Sequence, residues 1–503
     1  MATLGLTRVV LTIGAVGVCT HASVGQVIDS TWIDDTSGVW SDATRWSTPD
    51  FPTARGPDTY RAIIDFDTGG PYTIGVSSSI DVDGLVLTST DATIDGGGTG
   101  TIVVRSTLEF GDGTARALAE LMSEGTLLFT GAAVAEIDDT PLCHVGSVGR
   151  KTGTGDILLT GSTMFELTSA STFTIENSGD FMGDTTARLI NDGVFAKQSP
   201  GTTFIEDVGF VNTGTVVVEQ GTLVITNPIL PSPGTLGPAT YDIFDAATLD
   251  FSGAPLSTNQ ADVIFRGPDS VFPEFSGIEN NEGLSRAEGG ADITFSPTGG
   301  LANSGTLEAD GAGSTITASG PISNTGQITV LNGGVVRSTT LDNNNGAVQG
   351  TGTIQTSSFT NNGLVSPGNS PGVLVTENPM GTHAFQQGFD GTLLIEIAGR
   401  TPGIDHDVLD VRGIALFDGT LELEFSPFMG EPPVQPGDQF DIVLAENIDG
   451  QFRDIQLRGL GLEGQVDVIF TPGGIVVVVQ QVPAPSALAL LGLGAMLGAR
   501  RRR

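Results

Sequence analysis

Between residues 26 and 481 of this 503-residue chain, the side chains best suited to acid–base or metal chemistry are few: His144, His383, His406, Lys151 and Lys197. A zinc site draws three or four nitrogen or sulfur ligands together, and these histidines are too sparse and separated to mark one. A polysaccharide lyase would need an Arg or Lys base with carboxylates clustered for calcium, and a glycoside hydrolase would need two or three carboxylates on one face. Asp138-Asp139 and Asp81-Val82-Asp83 set acids side by side, but such pairs are expected by chance among 58 acidic residues. Asp405-His406-Asp407 has the composition of an acid–base group, yet it opens a strand and reads as a turn. Gly96-Gly97-Gly98-Thr99-Gly100 lacks the Lys and Ser/Thr of a phosphate loop and precedes the strand Thr101 to Val104, so it reads as a corner. The expectation is therefore no catalytic residue and no metal site. Calcium at acidic turns is the one cofactor considered, although neither an EF-hand loop nor a Gly-Gly-x-Gly-x-Asp nonapeptide is present.

The three tryptophans, Trp32, Trp40 and Trp46, crowd into one short segment. An indole face suits a pyranose ring, so they could stack on a sugar. The simpler expectation is a Trp-rich N-terminal cap, residues 26–75, whose aromatics cover an open end of the core.

The elements that would hold these residues are β-strands. The chain has 71 Gly and 26 Pro with no Gly-X-Y period, which excludes collagen and an ordinary helical enzyme. Its hydrophobic content of 39% is too high for wholesale disorder. A net charge of −37 repels phosphate and argues against a nucleic-acid partner. Over residues 76–375, strand-length apolar runs alternate with polar turns, and an Asn-x-Gly unit recurs at Asn177, Asn191, Asn212, Asn281, Asn303, Asn324, Asn344 and Asn361. Its period near 20 is that of a solenoid. Glycine would allow positive φ at sharp corners, and stacked Asn side chains could hydrogen-bond along the axis. A right-handed parallel β-helix of roughly fourteen coils is expected, a rod of order 60–70 Å at ~4.8 Å per coil. The repeat is lost between Pro228 and Pro273, where the solenoid is expected to break, and Ala117 to Met122 could form one helical turn. Residues 376–481 show period-2 alternation and short turns, which predict an antiparallel, sandwich-like terminal unit.

Both ends look like addresses. Residues 1–25 carry Arg8, an apolar run and small residues suited to cleavage after Ala22 or Gly25, as in a secretory signal peptide. Without them Cys143 stands alone and can form no intramolecular disulfide. Residues 482–503 run Val482-Pro483-Ala484-Pro485-Ser486, then an apolar stretch to Ala499, then Arg500, Arg501, Arg502 and Arg503. The stretch could insert transiently in the inner membrane as a short helix, with the arginines at the cytoplasmic face.

This tail resembles the PEP-CTERM sorting signal of Gram-negative and planctomycete-type bacteria. Pro483, Pro485 and Ser486 match, while Ala484 stands where that signal typically has Glu. The resemblance implies recognition by an exosortase-like membrane protease and delivery to the cell exterior. The tryptophan-rich opening is similar to the start of secreted β-repeat proteins. The stretch from Ser366-Pro367-Gly368 through Asp407-x-Leu409-x-Val411-x-Gly413 to Phe440 resembles the end of autotransporter-type adhesin passengers. Together these imply a secreted surface or extracellular-matrix protein, structural or adhesive, in contact with polysaccharide or other surface components. The competing expectation is a secreted carbohydrate-active enzyme, a lyase or hydrolase, or a carbohydrate-binding protein on a β-helix.

Overall fold

The computed structural model describes residues 26–480 except 55–57, 68, 370, 379–382, 427–433 and 460–465. The expected signal peptide and the 482–503 tail, with its short apolar helix, lie outside the described residues.

Strands of about five residues, each followed by a turn, wind as a three-faced parallel β-solenoid. Alternate side chains point inward, as in Thr353–Thr356 or Thr392–Ile397, where every second residue is buried. One face is continuous from Val27–Thr31 to Asp454–Arg458, every step parallel. Between residues 79 and 367 this face holds fourteen strands, matching the coil number expected for that stretch. The other two faces are each interrupted once. One is reduced to a single bridge between Phe210 and Pro228, and the other breaks at a 3-10 helix, Pro273–Gly277. The Pro-rich stretch therefore disturbs two faces while the third carries the solenoid through, so the predicted break is partial. Proline supplies no N–H to a ladder, which confines it to such points.

Two further expectations are corrected. Residues 376–458 are not an antiparallel unit: Val373–Glu377, Val408–Phe417 and Gln439–Gly450 pair in parallel, as do Thr392–Ile397, Thr420–Phe425 and Asp454–Arg458. Among the described residues of this stretch, the antiparallel strand pairs are Val466–Thr471 with Gly474–Val479, a tight hairpin, and Gly474–Val479 with Gln439–Gly450. Period-2 alternation reports a half-buried strand and is blind to its direction, which depends on the length of the return connection. Ala117 to Met122 is not helical: Ala117 has φ +50° and Glu120–Ser123 is a strand paired with Thr101–Val104. In the tryptophan-rich segment, Val27–Thr31 and Gly38–Val39 pair in parallel with the next coil.

The interior is filled in two ways. From Phe110 to Phe210 it is aromatic: Phe110 stacks on Phe129 at 5.6 Å and Phe173 on Phe195 at 5.8 Å, because register places like residues directly over one another. Burying each such ring is worth ~1.5–3 kcal/mol. From Asn259 to Asn361 one corner is polar instead. Each Asn Nδ2 donates to the Oδ1 of the Asn one coil further on, through Asn259, Asn281, Asn303, Asn324, Asn343 and Asn361, at 2.7–2.9 Å. Each also donates to a backbone carbonyl of that next coil, as Asn281 does to Thr306 at 3.0 Å. Asn343, not Asn344, is the rung, because Asn345 takes φ +65° and absorbs an extra residue in that corner.

The glycines of this ladder serve a different purpose from the one expected. Gly283, Gly305, Gly326 and Gly363 are not in the left-handed region; a Cβ on Gly305 would lie 2.1 Å from the carbonyl oxygen of Gly283. They are needed because successive corners approach within backbone contact, not because of φ.

Candidate functional site

Stacked Asn-x-Gly corners are recessed, since each lacks a Cβ. Gly305, Gly326, Gly346 and Gly363 together form the floor of an open trough of about 780 Å³ that runs along the solenoid. Gln327, from the continuous face, lines it, as do Asp390 and Glu422 from later coils. Its lining offers amides, hydroxyls, backbone groups and two carboxylates, with no aromatic ring. Such a surface can exchange hydrogen bonds with a hydroxyl-rich chain whose repeat runs along successive coils.

The candidates named from sequence are placed elsewhere. Trp32, Trp40 and Trp46 are 0%, 1% and 4% exposed. Trp46 packs on Trp32 at 5.2 Å and on Trp40 at 4.9 Å, while the Trp40 and Trp46 Nε1 atoms donate to the carbonyls of Pro52 and Trp40. No indole face is left open for a sugar, which removes the stacking platform. These rings are instead part of the core of the first coils.

Asp405, His406 and Asp407 are brought together by sequence but turned to separate tasks. Asp407 is fully buried, and its carboxylate accepts from the Gly372 and Glu396 N–H groups, both at 2.9 Å, pinning the Ser-Pro-Gly loop to the next strand. Burial outweighs these bonds and pushes its pKa up to about 7. His406, also buried, places Nδ1 3.2 Å from the Gly399 carbonyl, and burial lowers its pKa. Asp405 accepts from Thr401 N–H at 3.0 Å. Their bonds go to backbone and, for Asp405, also to the Thr401 side chain of the same turn, so the turn reading of the motif accounts for them.

The paired acids tie coils. Asp138 accepts from the Thr160 hydroxyl at 2.8 Å, Asp139 from Ser162 N–H at 2.8 Å, and Asp81 pairs with Arg105. Arginines that look scattered in sequence mostly meet an acid one coil away, as Arg286 does with Glu308 at 3.0 Å and Arg458 with Glu422 at 2.7 Å. In the glycine run, Gly97 and Gly98 have φ +54° and +77°, a corner as expected. His144 is buried, with Nδ1 3.2 Å from the Ser123 hydroxyl and its pKa lowered by burial; His383 opens the strand His383–Gln387. Cys143 is a half-buried free thiol. No group of three His, Cys, Asp or Glu residues is placed to hold a metal among the described residues.

Sequence reasoning did not foresee that both lysines lie inside. Lys151 and Lys197 occupy the same inward column, one on each side of Ile175. The Lys151 Nζ donates to Gly155 O at 2.5 Å, Asn177 Oδ1 at 3.0 Å and Gly153 O at 3.2 Å. Burial brings its pKa down to about 8. Lys197 donates to the backbone and hydroxyl oxygens of Ser199. The available signal was position: each lysine ends a strand two places after a buried residue, Gly149 or Phe195.

Residues 481–503 match the PEP-CTERM protein-sorting motif. No curated protein matches the chain. The motif is the substrate signal for exosortase, a membrane protease-like sorting enzyme, so this is an exosortase-dependent, exported protein with a β-helical body, processed at the membrane. Among the described residues no helix is long and apolar enough to cross a membrane.

Proposed function

We propose that the protein is a structural or adhesive component of the cell surface or extracellular matrix, delivered as a solenoid rod whose leader and tail are removed on the way. The observation that carries this reading is the union of the sorting motif at 481–503 with a β-solenoid that spans almost all of the intervening chain. The signal peptide at 1–25, with cleavage after Ala22 or Gly25, belongs to the same proposal, as does transient membrane insertion through the apolar tail. Deleting residues 482–503 tests the routing: the truncated protein should fail to reach the surface or medium in its normal processed form, and unchanged release would refute it.

The trough favours one refinement, binding of an extracellular polysaccharide along the Asn-Gly corners. Purified mature protein assayed against a polysaccharide panel, with and without Ca²⁺, should bind without turnover, and Gln327→Ala with Glu422→Ala should weaken binding several-fold. Turnover of any substrate would overturn the structural reading in favour of a carbohydrate-active enzyme.

A further inference from the structure

Lys151 and Asn177 present the parts of an amide exchange. The Lys151 Nζ lies 3.0 Å from the Oδ1 of Asn177, in a site where the lysine is fully buried. That same Oδ1 accepts from the Gly179 N–H at 3.0 Å, a donor positioned to hold negative charge if the carbonyl carbon is attacked. The Asn177 Nδ2, the prospective leaving group, is bound to the Gly153 carbonyl. Packing holds amine and amide together, so their encounter is intramolecular and carries the rate advantage of fixed proximity. Burial favours the neutral, nucleophilic amine and outweighs the carboxylates of Asp156 and Asp180, which act on Lys151 electrostatically in the opposite sense.

We infer that Lys151 and Asn177 form an intramolecular isopeptide cross-link. The Nζ lone pair attacks Cγ, a C–N bond forms, the Cγ–Nδ2 bond breaks, and Nδ2 leaves as ammonia carrying the proton given up by the amine. No oxidant or cofactor is required. The bond would clamp one coil to the next across the 26 residues that separate the pair, in an exported body that has a single cysteine and so no internal disulfide. Lys197 is a built-in control: its ammonium meets only Ser199 oxygens and has no amide to attack.

The test is amine labelling of the purified, fully denatured protein followed by tryptic mass spectrometry. With lysines blocked, trypsin cuts after Arg150 and Arg188, so Lys151 and Asn177 fall in one peptide. The expected result is a 151–188 peptide that carries no label and is lighter by one ammonia, beside a fully labelled Lys197. Asn177→Ala should restore labelling at Lys151. A 151–188 peptide of unreduced mass, labelled at Lys151 as completely as Lys197 is, would overturn the inference.

Discussion

Residues 110–210 and residues 259–361 wind the same coil around different interiors. In the first, phenylalanines stack over one another; in the second, a corner is given to an unbroken line of six asparagines. Aromatic filling gains energy from area and tolerates shifts in ring position, so adjacent rings there range from nearly parallel to nearly perpendicular. The ladder gains from hydrogen bonds, each worth only ~0.5–1.5 kcal/mol net, but every rung satisfies its neighbour, so the unmade bond is the costly one. The first region fixes size, and the second fixes register.

That contrast can be broken experimentally. Phe173→Ala should have the largest effect, ~3–5 kcal/mol, because it removes a ring that packs on Phe129, Phe165, Phe181 and Phe195. Since each coil contacts only its neighbours, amide hydrogen exchange should accelerate around residues 129–195 and stay near normal beyond residue 259. Uniform loss along the chain would show that the two regions do not unfold separately. Asn303→Ala should cost ~2–3 kcal/mol, since it removes the side-chain acceptor of Asn281 and the side-chain donor to Asn324, with faster exchange confined to the ladder. An effect below ~0.5 kcal/mol would show that the ladder contributes no more than an exposed polar contact does.

A further effect depends on pH. Asp407, beyond the ladder, has a folded pKa of about 7, above its unfolded value, so the folded state binds the extra proton and stability falls as pH rises from about 4 to about 7. His144, in the aromatic region, has a lowered pKa, so the unfolded state binds the extra proton and its contribution to stability rises with pH up to about 6.5. His406 acts in the same sense as His144. In Asp407→Asn only the falling contribution is lost, and Tm should climb more steeply between pH 4 and 7 than in the unmodified protein. Parallel Tm curves would contradict this assignment. Least of all, Arg286→Gln should cost ~1 kcal/mol or less, and in high salt the difference should shrink, because its pairing with Glu308 is partly exposed.

Much of the fold was legible because the solenoid repeats its own constraints. Asn281, Asn303, Asn324 and Asn361 each carry a glycine two places on, and their spacing gave both the coil and the axial hydrogen bonds. Asn259 escaped notice because Gln260-Ala261 follows it, although its side chain joins the same ladder. Strand direction beyond residue 376 was not legible, since Leu393, Ile395 and Ile397 alternate identically in parallel and antiparallel sheets. The trough was invisible for a related reason: Gly305, Asp390 and Glu422 are far apart in sequence and meet only when coils stack. Burial of the indoles was equally hidden, because a Trp cluster reads alike as platform or core until the chain around it is placed.

The unbroken parallel face has a mechanical consequence. Its hydrogen bonds lie along the rod, so tension applied between the two ends loads them directly, one coil at a time. Each coil that peels away releases about 20 residues, or roughly 70 Å of extended chain at ~3.3–3.6 Å per residue. A pulled rod would therefore lengthen in steps and dissipate work at each one, and a covalent clamp between two coils would set a stop partway along the extension.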